Sequence, residues 1–148
     1  MTVYLDASAL VKRYVAERGS NEIIELTERA EVVATSLVSR TEVAAAFAKA
    51  VRIGVLSAET GRKAQRAFAS QWPDIARIPV TEALLSRADT IAWDYALRGY
   101  DAIQLASALT WQESVGMTVT LAAFDRQLWE AGQKAGMQVW PANLISGT

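Results

Sequence analysis

The 148-residue sequence contains no cysteine and no histidine. The absence of cysteine excludes disulfide frameworks, thiolate zinc sites and redox dithiols. The absence of histidine removes imidazole, the side chain that most often serves as a general base or metal ligand near neutral pH. Any chemistry at neutral pH must therefore come from carboxylates, hydroxyls, amines or a bound ion.

Long apolar runs and an excess of basic charge are missing as well. No apolar segment approaches the roughly 20 residues that span a membrane, and no basic segment followed by a long apolar one begins the sequence as in a signal peptide. We therefore expect a soluble, cytoplasmic protein with no membrane partner. A net charge of −1 and a pI of about 5.5 argue mildly against binding to nucleic acid phosphates, so an RNA site would need locally clustered basic residues. The basic candidates are Lys12, Arg13, Arg40, Lys49, Arg98 and Arg126.

Hydrophobic residues make up 51% of the chain, which is enough for a sizeable core, and the length fits one domain over residues 1–148. Short apolar segments alternate with segments of helical periodicity. Strands are expected at 3–5, 32–35, 77–80, 118–123 and 138–140, and helices at 8–16, 22–29, 37–52, 57–71, 81–97, 101–113 and 126–135. This alternation predicts an α/β fold with a parallel sheet that helices cover on both faces.

Four acidic residues lie where the apolar segments end or turn inward: Asp6, Glu42, Asp101 and Asp125. Asp6 and Asp125 each lie at the exit of a predicted strand, and sites in open α/β sheets form beyond the carboxyl ends of the strands. Carboxylates that converge repel one another unless protons or a cation neutralise them. A hard cation that prefers oxygen ligands, Mg²⁺ or Mn²⁺, is therefore the first hypothesis.

Each acid also has a purely structural explanation. Asp6, Asp101 and Asp125 precede predicted helices, and aspartate is a favoured N-cap. Residues 39–42 (SRTE) match the capping-box pattern, in which Ser39 and Glu42 would satisfy each other's backbone N–H groups. A helix cap requires neither a metal nor a substrate, so this explanation stays open for every one of the four.

Three details favour a functional site. An earlier cap at residues 35–36 would place Glu42 well inside its helix, in a largely apolar arc where an unpaired carboxylate is costly. Asp101 begins a helix that has almost no polar face and should therefore be buried. Finally, Ser8 lies two residues after Asp6, where its hydroxyl can hydrogen-bond the carboxylate or donate to a metal-bound phosphate.

These acidic segments resemble PIN-domain proteins, particularly the VapC-type ribonuclease toxins. The resemblance rests on residues 3–10 (VYLDASAL), on Glu42 in the helix after the second strand, on residues 99–106 (GYDAIQLA) and on residues 124–128 (FDRQL). Each block alone is a weak pattern. Four blocks in the family's order, at suitable spacing over essentially the whole chain, form a strong one.

The resemblance implies a three-layer α/β/α fold with a five-stranded parallel sheet. It also implies a Mg²⁺- or Mn²⁺-dependent endoribonuclease that acts as the toxin of a toxin–antitoxin pair, forms a homodimer and is inhibited by a VapB-type antitoxin. The implied catalytic and metal-binding residues are Asp6, Glu42, Asp101 and Asp125, with Ser8 in support. The chain departs from the family at Ala123, where many members carry Thr or Ser, so a hydrogen bond that supports Asp125 is expected to be missing.

Two other classes of protein remain open. A receiver-type phosphoacceptor domain also places acids at strand ends, but it needs adjacent acids after the first strand and a lysine after a late one, whereas Asp6 stands alone and Arg126 follows Asp125. A catalytically silent interaction module on the same scaffold would use the acids as helix caps only. Fold alone does not decide between these functions.

Overall fold

The computed structural model describes residues 1–144. Five strands form one sheet: Thr2–Leu5 (β1), Val32–Ser36 (β2), Ala76–Ile78 (β3), Val119–Ala122 (β4) and Gln138–Trp140 (β5). Their order across the sheet is β3-β2-β1-β4-β5, and every neighbouring pair is parallel. The predicted parallel α/β fold and its five strands are confirmed. Pro79 follows β3, which is an edge strand, as a proline at a strand end suggests.

Seven α-helices connect and flank the strands within residues 1–144: Ala7–Val11 (α1), Ser20–Arg29 (α2), Ser39–Arg52 (α3), Ala58–Gln71 (α4), Glu82–Tyr95 (α5), Gly99–Val115 (α6) and Arg126–Lys134 (α7). A 3₁₀ turn, Trp72–Asp74, follows α4. None of these helices combines the length and the apolar character needed to cross a membrane.

The central strand shows why the strands are apolar runs. All four residues of β1 are buried. Val3 and Leu5 pack on one face of the sheet, in a core with residues of α1 to α4. Tyr4 points to the other face and joins a core with residues of α5 to α7. Helices thus cover both faces, which confirms the three-layer α/β/α arrangement.

The first helix is shorter than predicted. It ends at Val11 instead of Ala16, because the backbone N–H groups of Lys12 and Arg13 bond to carbonyls three residues back and tighten the chain into turns. Val15 then returns to the core, and its carbonyl accepts a hydrogen bond from the Ser20 hydroxyl.

The start of α3 also differs from the prediction. The helix begins at Ser39 with Val38 as its N-cap, so the prediction that Glu42 lies well inside the helix is wrong, and Glu42 lies in the first turn. The alternative, a capping box between Ser39 and Glu42, does not form either. Tertiary contacts explain the difference, because the Thr35 hydroxyl donates to the carbonyl of Leu5 on the neighbouring strand. This bond holds Thr35 against the sheet as part of β2, which runs to Ser36, so the helix begins only after the strand has ended.

A candidate acidic site at the carboxyl edge of the sheet

Asp6 directly follows β1 and caps α1. Its Oδ1 accepts the backbone N–H of Ala9 at 2.9 Å. The Ser8 hydroxyl lies 2.8 and 2.9 Å from the two carboxylate oxygens, so the hydrogen bond predicted for Ser8 is present. Because the cap occupies Oδ1, Oδ2 retains capacity for a further partner. Capping and ligand binding are therefore compatible at this residue.

The environment of Asp6 disfavours its charged form. The residue is only 4% exposed, and its pKa is raised to about 7, with burial as the largest cause. The negative charges of Asp101 and Glu42 contribute to the raised pKa, while the hydrogen bonds from Ala9 and Ser8 partly oppose it. A buried carboxylate whose pKa is raised in this way is stabilised in its charged form when a cation neutralises the charge.

Glu42 approaches the same place from α3. Its pKa is raised by burial first and by the charge of Asp101 second, while a hydrogen bond from Gln104 lowers it. The Gln104 Nε2 atom lies 3.4 Å from Glu42 Oε1, which is at the long end for a hydrogen bond. Two acids far apart in the sequence are therefore close enough in space to affect each other's charge.

Asp101 and Asp125 form the outer part of the site. Asp101 lies in the first turn of α6 and does not cap it, because the N-cap is Arg98. Asp125 caps α7 by accepting the Leu128 N–H on Oδ1 at 3.0 Å. The Arg98 guanidinium lies 3.4 Å from Oδ2 of both aspartates. Burial, followed by the charge of Asp125, raises the pKa of Asp101, and Arg98 opposes this shift.

These four residues, which we call the acidic edge, are brought together from α1, α3, α6 and the start of α7. Among residues 1–144, however, no three Asp or Glu side chains are close enough to hold a metal ion between them. Mg²⁺ commonly binds through one or two carboxylates and completes its shell with water and substrate phosphate. The acidic edge offers oxygen ligands and an excess of negative charge opposed by one nearby arginine, and it therefore fits such an ion.

A cavity of about 650 Å³ opens at the acidic edge. It is lined by Glu42, Arg98, Gly99, Tyr100, Asp101 and Ile103. The Tyr100 side chain is 62% exposed, so a flat aromatic surface is available beside the carboxylates. Another cavity, of about 790 Å³, lies at the opposite edge beside the starts of β2 and β3, and none of the four acids lines it.

The basic candidates have different surroundings. Arg98 joins the outer aspartates, as described above. Lys12 instead pairs with Glu17 at 3.0 Å, and its ammonium lies 4.5 Å from the centre of the Phe124 ring. Arg126 bonds to Glu130 on its own helix. Arg98, which also lines the cavity, is therefore placed to contact a ligand of the acidic edge.

Ala123 and Gln104 refine the expectations drawn from the sequence. Ala123 is fully buried, and its backbone N–H donates to the carbonyl of Trp140. Because its side chain is a methyl group, it gives Asp125 no hydrogen bond, as expected. Gln104 did not stand out in the sequence. The feature that could have identified it is its position. Gln104 is a polar residue on an apolar helix, one turn after Asp101 and therefore on the same face.

Comparison with known proteins matches residues 3–132 to the family model described as "PIN domain". The chain is 35% identical to Ribonuclease VapC45 of Mycobacterium tuberculosis, over 96% of each chain. The fold is similar to that of a toxin–antitoxin complex from Klebsiella pneumoniae (TM-score 0.55, 16% identity, 80% of this chain and 84% of the other). It is also similar to that of M. tuberculosis VapC20, a toxin that cleaves the sarcin–ricin loop (TM-score 0.61, 17% identity, 92% and 96%).

Proposed function

The chain belongs to the PIN-domain family, and on that premise we propose that it is an endoribonuclease, the toxin of a toxin–antitoxin pair. Its 35% identity to a named ribonuclease extends over nearly the whole of both chains. The observation that carries the assignment is the convergence of four carboxylates at the end of the sheet where α/β proteins place their sites. The proposal includes a cytoplasmic location.

The acids of the proposed site have distinct tasks. One or two Mg²⁺ or Mn²⁺ ions would be held by Asp6 and Asp101 and by Glu42 and Asp125, with no more than two of these carboxylates on any one ion, as their spacing requires. When bound, the ion supplies positive charge at the scissile phosphate and makes water acidic enough to attack at neutral pH. Ser8 and the Ala9 N–H fix the orientation of the Asp6 carboxylate.

The remaining groups bind and place the RNA. The Arg98 side chain is 75% exposed, and a guanidinium presents donors that match phosphate oxygens. The exposed ring of Tyr100 offers a surface on which a base can stack. Since RNA is a polyanion, approach to four carboxylates is unfavourable without the cation, so we expect cleavage to require it.

Divalent-dependent cleavage by the purified chain is the test. We expect Mn²⁺ or Mg²⁺ to support cutting of a mixed RNA substrate, EDTA to stop it, and Asp6→Asn and Asp101→Asn to abolish it while remaining folded. Asp89→Asn is the matched control, because Asp89 is an exposed aspartate on α5, away from the acidic edge. Sequencing the fragment ends would identify the target RNA.

The opposite result would be informative. Cleavage that persists in both Asn variants would remove the acidic edge as the catalytic site. No cleavage by a folded wild-type chain would favour the silent interaction module, whose use of Asp6 and Asp125 is N-capping, a role that both residues do fill.

The proposed partner is a VapB-type antitoxin that inserts a segment rich in Arg or Lys into the acidic edge of a homodimeric toxin. Opposite charges favour such a complex and set its rate of association. Reversing two of the acids, with Asp101→Lys and Asp125→Lys, should weaken the complex, as measured by calorimetry with the purified antitoxin. An unchanged affinity would exclude this mode of inhibition.

A further inference from the structure

A chain of buried hydrogen bonds runs beneath the acidic edge. The Tyr4 hydroxyl lies 2.6 Å from Gln104 Oε1, and Gln104 Nε2 lies 3.0 Å from the Ser39 hydroxyl. The Ser39 and Thr35 hydroxyls are 2.7 Å apart, and Thr35 lies 2.7 Å from the carbonyl oxygen of Leu5. All four side chains are at most 2% exposed. The chain of bonds therefore forms in the core, shielded from water.

The direction of every bond follows from the groups present. A carbonyl can only accept, so Thr35 donates to Leu5 and its single proton is used. Ser39 must then donate to Thr35, and its oxygen accepts an N–H from Gln104. The amide nitrogen of Gln104 is thereby fixed towards Ser39, and the amide oxygen towards the Tyr4 hydroxyl, which donates to it.

One N–H of the Gln104 amide is donated to Ser39, and the second N–H remains available. The same Nε2 atom lies 3.4 Å from Glu42 Oε1, so the second N–H is directed at the carboxylate of the acidic edge. If the amide were reversed, it would present its oxygen to Ser39 and Glu42 and its nitrogen to the Tyr4 hydroxyl. That orientation would place two acceptors, the amide oxygen and the Glu42 carboxylate, against each other.

The chain of bonds joins the elements that carry three of the acids. Tyr4 lies in β1 two residues before Asp6, Ser39 lies in α3 one turn before Glu42, and Gln104 lies in α6 one turn after Asp101. A buried amide is costly unless its bonds are satisfied. Among residues 1–144, no buried side-chain nitrogen or oxygen lacks a partner, so this polar group is fully satisfied in an otherwise apolar core.

We propose that Gln104 is a positioning residue for the cation site, whose amide, oriented by Tyr4 and Ser39, holds the Glu42 carboxylate in place for a divalent ion. The inference rests on the proposed function, because it assumes that the acidic edge binds a cation. It adds a residue that contacts neither ion nor RNA and acts through Glu42.

The test is a double-mutant cycle read by Mn²⁺ affinity in the absence of RNA. Gln104→Met keeps the volume and removes the amide, and Glu42→Gln removes the carboxylate. Removing a group that orients a metal ligand typically costs about 10- to 100-fold in metal affinity. We expect Gln104→Met to weaken Mn²⁺ binding in calorimetry by about tenfold in the wild type and to have no effect in the Glu42→Gln background.

A matched control comes from the same helix. Gln112 on α6 also uses its side chain, accepting the Val119 N–H at 3.0 Å, but it lies three turns from Asp101. Gln112→Met should lower stability without changing Mn²⁺ affinity. Tyr4→Phe is a milder second variant, which removes only the hydroxyl that orients the amide, and it should weaken Mn²⁺ binding severalfold. It replaces Gln104→Met should that variant fail to fold.

The outcomes separate the two proposals. Additive losses in the cycle, or an unchanged affinity in both Gln104→Met and Tyr4→Phe, overturn the positioning role even if the wild type cleaves RNA. A coupled loss of Mn²⁺ affinity in a chain that does not cleave RNA supports the positioning role and overturns the ribonuclease. A folded wild type that binds no Mn²⁺ overturns the positioning role.

Discussion

Asp6 and Glu42, the inner pair of the acidic edge, are held by neutral donors, whereas Asp101 and Asp125, the outer pair, share the charged guanidinium of Arg98. Hydroxyl and amide groups orient a carboxylate, but they do not neutralise it. The inner pair is therefore fixed in position while its charge remains costly, and burial is the first cause of its raised pKa values. The outer pair is partly neutralised, and both of its members are more exposed than Asp6.

This difference separates two ways of preparing a cation site. The inner pair is preorganised by the core, so that binding an ion releases the cost of a buried charge. The outer pair is accompanied by an arginine that an ion would have to compete with or displace. Neutralising Asp6 should consequently affect stability differently from neutralising Asp125, whereas Asp101, whose pKa burial also raises, should respond in the same direction as Asp6.

Asp6→Asn should produce the largest effect on stability. The folded-state pKa of Asp6, about 7, lies above the unfolded value of about 3.9, so the folded chain holds this proton more tightly. Without divalent ions, the part of the unfolding free energy that protonated Asp6 contributes is fully present below about pH 4. It is lost as the pH rises through 7. This difference of about three pKa units corresponds to at most about 4 kcal/mol of unfolding free energy.

Asn can still cap α1 but carries no charge. We therefore expect Asp6→Asn to raise the free energy of unfolding at about pH 8 and to flatten its dependence on pH, as measured by urea unfolding in EDTA. Asp125→Asn, which also retains a cap but loses its contact with Arg98, should leave that dependence in place. Equal effects of the two variants would remove the distinction between the pairs.

Cation affinity should fall as the pH is lowered. An ion that binds at Asp6 must displace its proton, because the ligand is the carboxylate. Below about pH 7 we expect Mn²⁺ affinity to drop by about tenfold for each pH unit, since one proton is released. Calorimetry in buffers of different ionisation enthalpy would count that proton, and an affinity independent of pH would show that Asp6 is not a ligand.

The two aspartates of the outer pair should differ in activity. Asp125 uses Oδ1 for its cap and Oδ2 for Arg98, and Ala123 offers it no supporting side chain. We expect Asp125→Asn to lower the cleavage rate by about tenfold and Asp101→Asn by more than about 100-fold, because the smaller loss is typical of a group that supports a ligand. Single-turnover cleavage rates at saturating Mn²⁺ would measure both, and equal losses would make Asp125 a full member of the site.

Local pattern was sufficient to predict the strands and the acids at their exits. The apolar segments before Asp6 and Asp125 are strands, and the Ser8 hydroxyl bonds Asp6, because both features depend on neighbours in sequence. The start of α3 depended on a contact that no local pattern contains, the bond from Thr35 to Leu5, 30 residues away. Gln104 was missed for the same reason, since its partner Tyr4 lies 100 residues distant.

Arg98→Gln should have the smallest effect on stability. Its contacts with the outer pair are long, at 3.4 Å, and its side chain is 75% exposed, and such ion pairs contribute less than about 1 kcal/mol. We expect a small loss of unfolding free energy at low salt that disappears at about 1 M NaCl. Arg87→Gln, which breaks a two-pronged pair with Glu113 at 2.7 Å, is the control and should cost more.

Cation binding gives the same variant a second and opposite readout. If the guanidinium of Arg98 competes with the ion for the outer carboxylates, its removal should strengthen Mn²⁺ binding in the absence of RNA while weakening the binding of RNA, whose phosphates lose a donor. Calorimetry with Mn²⁺ and filter binding with RNA on Asp101→Asn and Arg98→Gln would separate these effects. Weaker Mn²⁺ binding in Arg98→Gln would mean that the arginine helps to assemble the outer pair, and the contrast in charge drawn between the two pairs would then be wrong.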